Sequence, residues 1–415
     1  MKLLAVGDMH LGRVPTALPE ALSASARQLG PEIAWQRSVE AAIEHQVEAV
    51  LLAGDVVDRE QDFFAGYDPL RAGIERLLDR GIRVLAVAGN HDTHVLPRLA
   101  DHVEGLELLG RGGRWQAVAL STGSVIGWSF PSRRVTQSPL ADWAEPESAR
   151  PRLGLLHCDR DQSDSIHAPV SSLELDRAGL DAWLLGHIHQ PDLDHTEDRP
   201  AGYLGSVSAL RASETGVRGP WLLDVAEQQV RVRQLALAPL AYETIAIDVG
   251  TLEHASALDA RILTAGREAV ASRVEADTLP DALGLRIRLI GDHAEAVALD
   301  ETVRGLNDAL PVFEESGCRV FVNRLDAAFG PPADLEALAR EPSPAGLLAR
   351  DLLLLAGSDC DARRRLISEA RDRFDAAAGI SHLHAVARPV SEAETVDALQ
   401  RAGRTVLARL VAQRR

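Results

Sequence analysis

Five short apolar runs along the chain each end in side chains able to hold a metal ion. Leu3-Leu4-Ala5-Val6 runs into Gly7-Asp8-Met9-His10, and Ala49-Val50-Leu51-Leu52-Ala53 into Gly54-Asp55-Val56-Val57-Asp58. Arg83-Val84-Leu85-Ala86-Val87 runs into Gly89-Asn90-His91-Asp92, Leu153-Gly154-Leu155-Leu156 into His157, and Ala182-Trp183-Leu184-Leu185 into Gly186-His187-Ile188-His189. Continuous apolar runs of this length read as parallel strands buried on both faces. Open α/β sheets bind their ligands beyond the carboxyl ends of such strands. Five ends that offer Asp, Asn and His to one crevice make a metal site, with donors enough for two ions.

The segments between the runs have helical spacing. Ala34 to Ile43 carries a polar face, and Leu70 to Arg80 is amphipathic and stopped by Gly81. Strand-helix alternation predicts βαβ units with a largely parallel core. From about Gly202 to Leu235 the pattern shortens, with strands at Trp221–Val225 and Val230–Arg233. These are expected to form the antiparallel second half of a layered α/β sandwich. Beyond Pro239 come a strand at Thr244–Val249, a helix over Leu258–Val274, a half-exposed strand at Leu285–Ile290 and a strand at Arg319–Asn323. Gly330-Pro331-Pro332 and Glu341-Pro342-Ser343-Pro344 are breakers, and helices follow, including Ala362–Ala378 and Glu392–Arg415.

Composition narrows the class. Length (415 residues) calls for two or three domains, and 46% hydrophobic with 25% charged residues is usual for a globular protein. No apolar run reaches the roughly 18 residues of a membrane span. The chain opens directly on its first strand, so no signal peptide is expected. Cys158, Cys318 and Cys360 are odd in number and unpatterned, as expected of thiols in a reducing compartment. The expected location is therefore cytoplasmic. A net charge of −17 means that any nucleic-acid face is local, and Arg supplies it, because Lys2 is the only lysine.

Taken singly, Asp-x-His and Gly-Asp-x-x-Asp also occur as turns and helix caps. Gly-His-x-His is more specific, since residues i and i+2 of an extended segment point to one side. The whole series, Asp8-x-His10, Gly54-Asp55-x-x-Asp58, Gly89-Asn90-His91-Asp92, His157, then Gly186-His187-x-His189, resembles the calcineurin-like metallophosphoesterase superfamily. Within it, Asp8-Met9-His10-Leu11-Gly12 is similar to the opening of the SbcD-type DNA-repair exonucleases. His167-Ala168-Pro169, the stretch Gly179 to His189, Gly205-Ser206, Glu214-Thr215-Gly216 and Gly219-Pro220 resemble YhaO-like bacterial members.

The resemblance implies an α/β fold. It places a four-layer α/β/β/α metallophosphoesterase sandwich at residues 1–238, a small α/β capping domain at 239–328, and a helical region for partner docking at 329–415. It also implies that Asp8, His10 and His189 hold one divalent ion and that Asn90, His157 and His187 hold the second, with Asp55 bridging. Mn²⁺ is the first expectation, with Fe, Zn or Mg as alternatives. His91 would protonate the leaving oxygen, and Asp92 would either orient His91 or serve as a turn carboxylate. The implied function is DNA phosphodiester hydrolysis in repair, exonucleolytic and with endonuclease action left open. DNA and an SMC-like ATPase are the implied partners, and a homodimer is a further family expectation. A phosphatase or phosphodiesterase for small esters and a non-catalytic scaffold subunit for the ATPase stay open as alternatives.

Some positions depart from the pattern or lie outside it. Asp58 stands where archaeal and eukaryotic members of the nuclease branch often have His. Cys158 beside His157 is unusual, with packing, adventitious ligation or oxidation as its candidate roles. His94 is placed to line the cleft. His45, His102, His195, His254, His293, His382 and His384 lie away from the strand ends. Arg13, Arg133, Arg134, Arg211 and Arg218 are the candidate phosphate contacts.

Overall fold

The computed structural model describes residues 1–193, 199–226, 229–308, 310–332, 334–378 and 391–412. His195, His382, His384 and the last residues of the expected C-terminal helix lie outside them. The chain divides into two compact units. One comprises Met1–Glu243, Glu268–Leu285 and Val312–Asn323; the other comprises Thr244–Arg267, Arg286–Pro311 and Arg324–Arg415.

The first three apolar runs are β1 (Lys2–Val6), β2 (Ala49–Ala53) and β3 (Arg83–Val87). They pair in parallel, and β4 (Leu106–Leu108) continues the sheet beyond β3. Helices Pro31–Glu44, Phe63–Leu78 and Val95–His102 make the connections. The second helix begins earlier than its amphipathic stretch suggests and runs through Pro69. The Pro69 carbonyl accepts from Trp35 Nε1 at 3.0 Å. A Cβ on Gly73 would lie 2.3 Å from that same nitrogen, so only glycine lets the two helices come this close.

A second sheet holds β5 (Gln116–Ala119), β6 (Ser124–Trp128), β7 (Arg152–His157), β10 (Ala182–Gly186) and β11 (Ala201–Tyr203), in the order β11-β10-β7-β6-β5. Between them in the chain, β8 (Asp159–Arg160) and β9 (Pro169–Val170) form a small parallel pair. Only β5 runs antiparallel to its neighbour in this sheet. The antiparallel strands β12 (Trp221–Val225) and β13 (Val230–Gln234) are formed as expected but sit elsewhere. They extend the first sheet beside β1, in the order β13-β12-β1-β2-β3-β4. The second sheet is therefore mainly parallel, which corrects the expectation that this hairpin builds it. Local alternation identifies a strand but does not choose its neighbour.

The apolar runs are continuous because both faces of each strand are covered. Leu3, Leu51 and Leu85 meet Val125, Leu153 and Leu184 between the sheets. Leu4, Leu52 and Val84 pack under Trp35, Leu70 and Leu96 of the helices. On the far side of the second sheet, Trp183 and Leu185 pack with Leu175 and Ala178 of helix Ser172–Ala178. The result is a helix–sheet–sheet–helix sandwich. Each fully buried Leu or Val contributes about 1.5–3 kcal/mol to holding the strand ends in place.

Later in the chain, β14 (Leu240–Asp248), β15 (Ala282–Asp292), β16 (Val312–Glu315) and β17 (Cys318–Gly330) form a four-stranded sheet in the order β14-β15-β17-β16. Helices Leu258–Glu275 and Ala296–Asp308 fall between its strands in sequence. β17 stops at the Gly330-Pro331-Pro332 breaker. Ser343 of the next breaker caps helix Pro344–Ala356, which is followed by Asp361–Ala378 and Glu392–Ala412. Among the described residues no helix is long and apolar enough to cross a membrane.

Candidate metal centre

The carboxyl ends of β1, β2 and β3 in one sheet and of β7 and β10 in the other come together. They meet closely because glycines line the seam. A Cβ on Gly186 would stand 2.0 Å from the Ala53 carbonyl oxygen, one on Gly54 2.6 Å from His157 Nδ1, and one on Gly89 2.3 Å from Asp55 Oδ1. Backbone strain collects here too. Asp8, His10, Asp55 and His187 all have positive φ, at 37°, 50°, 48° and 105°. Non-glycine residues hold such conformations at a cost, and the surrounding structure must impose them.

All seven expected metal ligands face this one place. Asp8, His10 and His189 offer ligand atoms within 4.8 Å of one another, as do Asp8, Asp55 and His157, and as do His10, Asp55 and His91. Asn90 Oδ1 lies 2.9 Å from His157 Nε2 and 3.1 Å from His187 Nδ1. Asp55 Oδ2 lies 3.8 Å from His10 Nε2 and 3.5 Å from His157 Nε2, between the two sets.

Each of the four expected ligand rings has an oxygen acceptor beside its far nitrogen, hydrogen-bonded in two of them. His157 Nδ1 donates to the Ala53 carbonyl at 3.0 Å, and His189 Nδ1 donates to Glu214 Oε1 at 2.8 Å. Asp58 Oδ1 stands 3.0 Å from His10 Nδ1, in charge contact but off the line of a hydrogen bond. Asp159 Oδ2 stands 3.6 Å from His187 Nε2. Such partners fix the tautomer and turn the other nitrogen, with its lone pair, toward the centre.

The residues present fit a cation. Asp8 Oδ1 accepts from the His187 amide at 2.9 Å, but Asp8 Oδ2 is buried with no hydrogen-bond partner. His10 Nε2 and His189 Nε2 face each other at 3.1 Å, and both far nitrogens of these rings are turned to carboxylates. With the protons on both outer nitrogens, the two inner lone pairs would repel at that distance without a positive charge against them. The mixed carboxylate, amide and imidazole donor set suits Mn, Fe or Zn.

The electrostatics follow from burial and close charges. Burial opposes ionisation of Asp55, but His157, His10 and His91 outweigh it and hold its carboxyl well below the usual range. Burial likewise works against Asp58 and Glu214; His10 in the first case and His189 in the second bring each down to about 2. Burial lowers His157 and favours its neutral form, as ligation requires. Cys158 is buried in the core of the second sheet, and burial pushes its thiol up, so its role is packing.

His91 is exposed, with Nδ1 donating to the Asp58 carbonyl at 2.9 Å and its amide to Asp55 Oδ1 at 3.0 Å. Asp92 does not touch that ring. Its two oxygens accept from the amides of Gly89 and Val56, both at 2.7 Å, so the structure realises the turn-carboxylate role.

Among the expected phosphate contacts Arg218 is misplaced. Only 1% of it is exposed, and its guanidinium donates to the carbonyls of His189 and Thr215, to Ser206 Oγ and to Gln190 Oε1. It braces the loop that carries His189 and is closed to a substrate. Arg13, Arg133, Arg134 and Arg211 keep some or full exposure. His94 is exposed at the start of its helix, and His45, His102, His254 and His293 serve caps and local contacts elsewhere.

Sequence reasoning passed over Asp159 and Glu214 as site residues. Asp159 had a local signal, two residues beyond His157 in an extended segment. Glu214 stood only in the Glu214-Thr215-Gly216 motif, with nothing in its spacing to show that it reaches His189 across a loop.

Residues 1–191 match the model of the family described as calcineurin-like phosphoesterase. The chain is 24% identical over 277 residues to metallophosphoesterase YhaO of Bacillus subtilis (strain 168), covering 62% of this chain and 65% of that protein. It is 26% identical over 275 residues to the DNA double-strand break repair protein Mre11 of Haloferax volcanii, covering 60% and 55%. The Mre11 of Aeropyrum pernix is 25% identical over 268 residues, covering 60% and 64%. The matches thus span less than two thirds of each of these relatives.

Proposed function

Since residues 1–191 are a calcineurin-like phosphoesterase domain, we propose that the protein is a two-metal phosphodiesterase that cleaves DNA, as an exonuclease working in repair with an SMC-like ATPase. The observation that carries this reading is the convergence of four imidazoles with Asp8, Asp55 and Asn90, the outer nitrogens of His157 and His189 hydrogen-bonded and those of His10 and His187 facing the carboxylates of Asp58 and Asp159.

Asp8, His10 and His189 would hold one ion and Asn90, His157 and His187 the other, with Asp55 between the two sets. Divalent ions held there, Mn²⁺ foremost, would supply positive charge against the phosphate oxygens and an activated water. The protein's own groups do the rest. Donating Nδ1–H to the Asp58 carbonyl leaves His91 Nε2 free to carry a proton to the leaving oxygen. Asp92 fixes the turn from which His91 projects. The two Mre11 relatives, named for double-strand break repair, support DNA as substrate.

The test is digestion of end-labelled linear duplex DNA with Mn²⁺, comparing the wild type with His91→Ala and Asp55→Ala. Shortening that both substitutions abolish is the expected result. Intact hydrolysis of a nitrophenyl phosphodiester without any DNA shortening would move the substrate to small esters.

A further inference from the structure

Two imidazoles flank the centre without belonging to either ligand set. One is His91, whose ring meets that of His10 edge-on at 5.1 Å. The other is His167, whose ring stands 5.1 Å from that of His187, tilted by 48°. His187, Asp159, His157 and Asp55 all lie within electrostatic range of the His167 ring. Its backbone is held from several directions. The amide donates to Ser165 Oγ at 3.0 Å, and Ser165 Oγ donates at 2.6 Å to Asp159 Oδ2, the oxygen that faces His187. The His167 carbonyl accepts from the Asp159 amide at 3.0 Å. Val135 bridges the residues on either side, donating to the Ile166 carbonyl and accepting from the Ala168 amide, both at 2.8 Å. Ala168 is buried with a φ of 53°, a conformation that the surrounding structure must impose.

The ring so placed has no hydrogen-bond partner of its own among the described residues. Nδ1 is buried and unpartnered, while the residue as a whole is half-buried and Nε2 is reached by solvent. A neutral imidazole carries one N–H and one bare lone pair. An orphaned buried N–H is the rarer defect, so the proton belongs on Nε2 and the lone pair on Nδ1. A ligand ring turns a lone pair to its ion; His167 instead offers a donor. A fixed donor beside a phosphoesterase centre is matched by the charge on a phosphate oxygen.

We propose that His167 contacts the substrate, donating from Nε2 to a non-bridging oxygen of the phosphate while His91 serves the leaving oxygen. This rests on the phosphodiesterase reading and adds to it a second protein donor, on the side of His187.

The test is calorimetric binding of methyl phosphate in Mn²⁺, with His91→Ala as the parent protein so that turnover does not intervene. Adding His167→Ala is expected to weaken binding about tenfold, the worth of one hydrogen bond to a charged group. Adding His167→Gln, whose side-chain amide still donates, restores most of that loss. Mn²⁺ affinity and melting temperature stay those of the parent in both variants. An unchanged methyl phosphate affinity in His167→Ala overturns the proposal. So does an Mn²⁺ affinity that falls in step with it, which would make His167 a prop for His187. In the wild-type background, His167→Ala should lower kcat/KM for a nitrophenyl phosphodiester by about tenfold or more, and an unchanged value also overturns the proposal. Phosphate affinity that depends on His167, in a protein whose wild type hydrolyses no phosphodiester, would remove the phosphodiesterase reading and leave the contact standing.

Discussion

Glu214 Oε1 lies 2.8 Å from His189 Nδ1, and the other oxygen of the same carboxylate accepts from Ser206 Oγ and the Leu210 amide. One buried carboxylate thus aims an imidazole and ties down the loop behind it. Glu214→Ala should weaken Mn²⁺ binding by about 10- to 100-fold, the usual cost of losing such a partner. Calorimetric titration of the metal reads this directly, and an unchanged affinity would show that His189 needs no help to point inward.

Gly89→Ala makes a different demand on the site. No positive φ forbids alanine there, but its Cβ would stand 2.3 Å from Asp55 Oδ1. That carboxylate must move, so the substitution is expected to cost at least tenfold in metal affinity while the far-ultraviolet circular dichroism stays that of the wild type. Gly305→Ala, with open space around its Cβ and no positive φ, is the comparison for a glycine outside the site.

Metal binding and folding are linked, because the ligands converge only in the folded chain. Free Mn²⁺ at 100 times its dissociation constant should stabilise the wild type by about 2.7 kcal/mol per independent site. In Asp8→Asn that metal-dependent rise in melting temperature should fall by about half, since the site on Asn90, His157 and His187 does not use Asp8. The metal-free variant should melt no lower than the metal-free wild type, because an unpartnered buried carboxylate oxygen has lost its charge. A metal-free protein sharply destabilised by the substitution would mean that Asp8 is structural.

Two arginines that look alike in sequence should behave in opposite ways. Arg218→Ala strips hydrogen bonds from the His189 and Thr215 carbonyls and leaves the nearby Glu214 charge uncompensated, which should cost about 3 kcal/mol or more. Arg133→Ala removes one exposed ion pair and should change stability by no more than about 0.5 kcal/mol. Urea denaturation of the two variants makes the comparison, and equal losses would contradict the burial of Arg218.

The local pattern determined a good deal. Runs such as Ala49–Ala53 and Arg83–Val87 became strands with the expected limits, because a strand buried on both faces must be apolar at every position. Strand ends fall in the ligand crevice of an open sheet, so Asp8, Asp55, Asn90, His157 and His187 could be picked out from their place after a run. Tertiary structure decided what local pattern does not encode. Trp221–Val225 joined the first sheet beside β1, more than 200 residues away in the chain, since strand pairing depends on which edge is free when the layers pack. Packing also buried Arg218, turned Asp92 to the amides of Gly89 and Val56, and brought Glu214 to His189. A side chain's partners across a loop follow from the path of the backbone, and hydrophobic periodicity does not record that path.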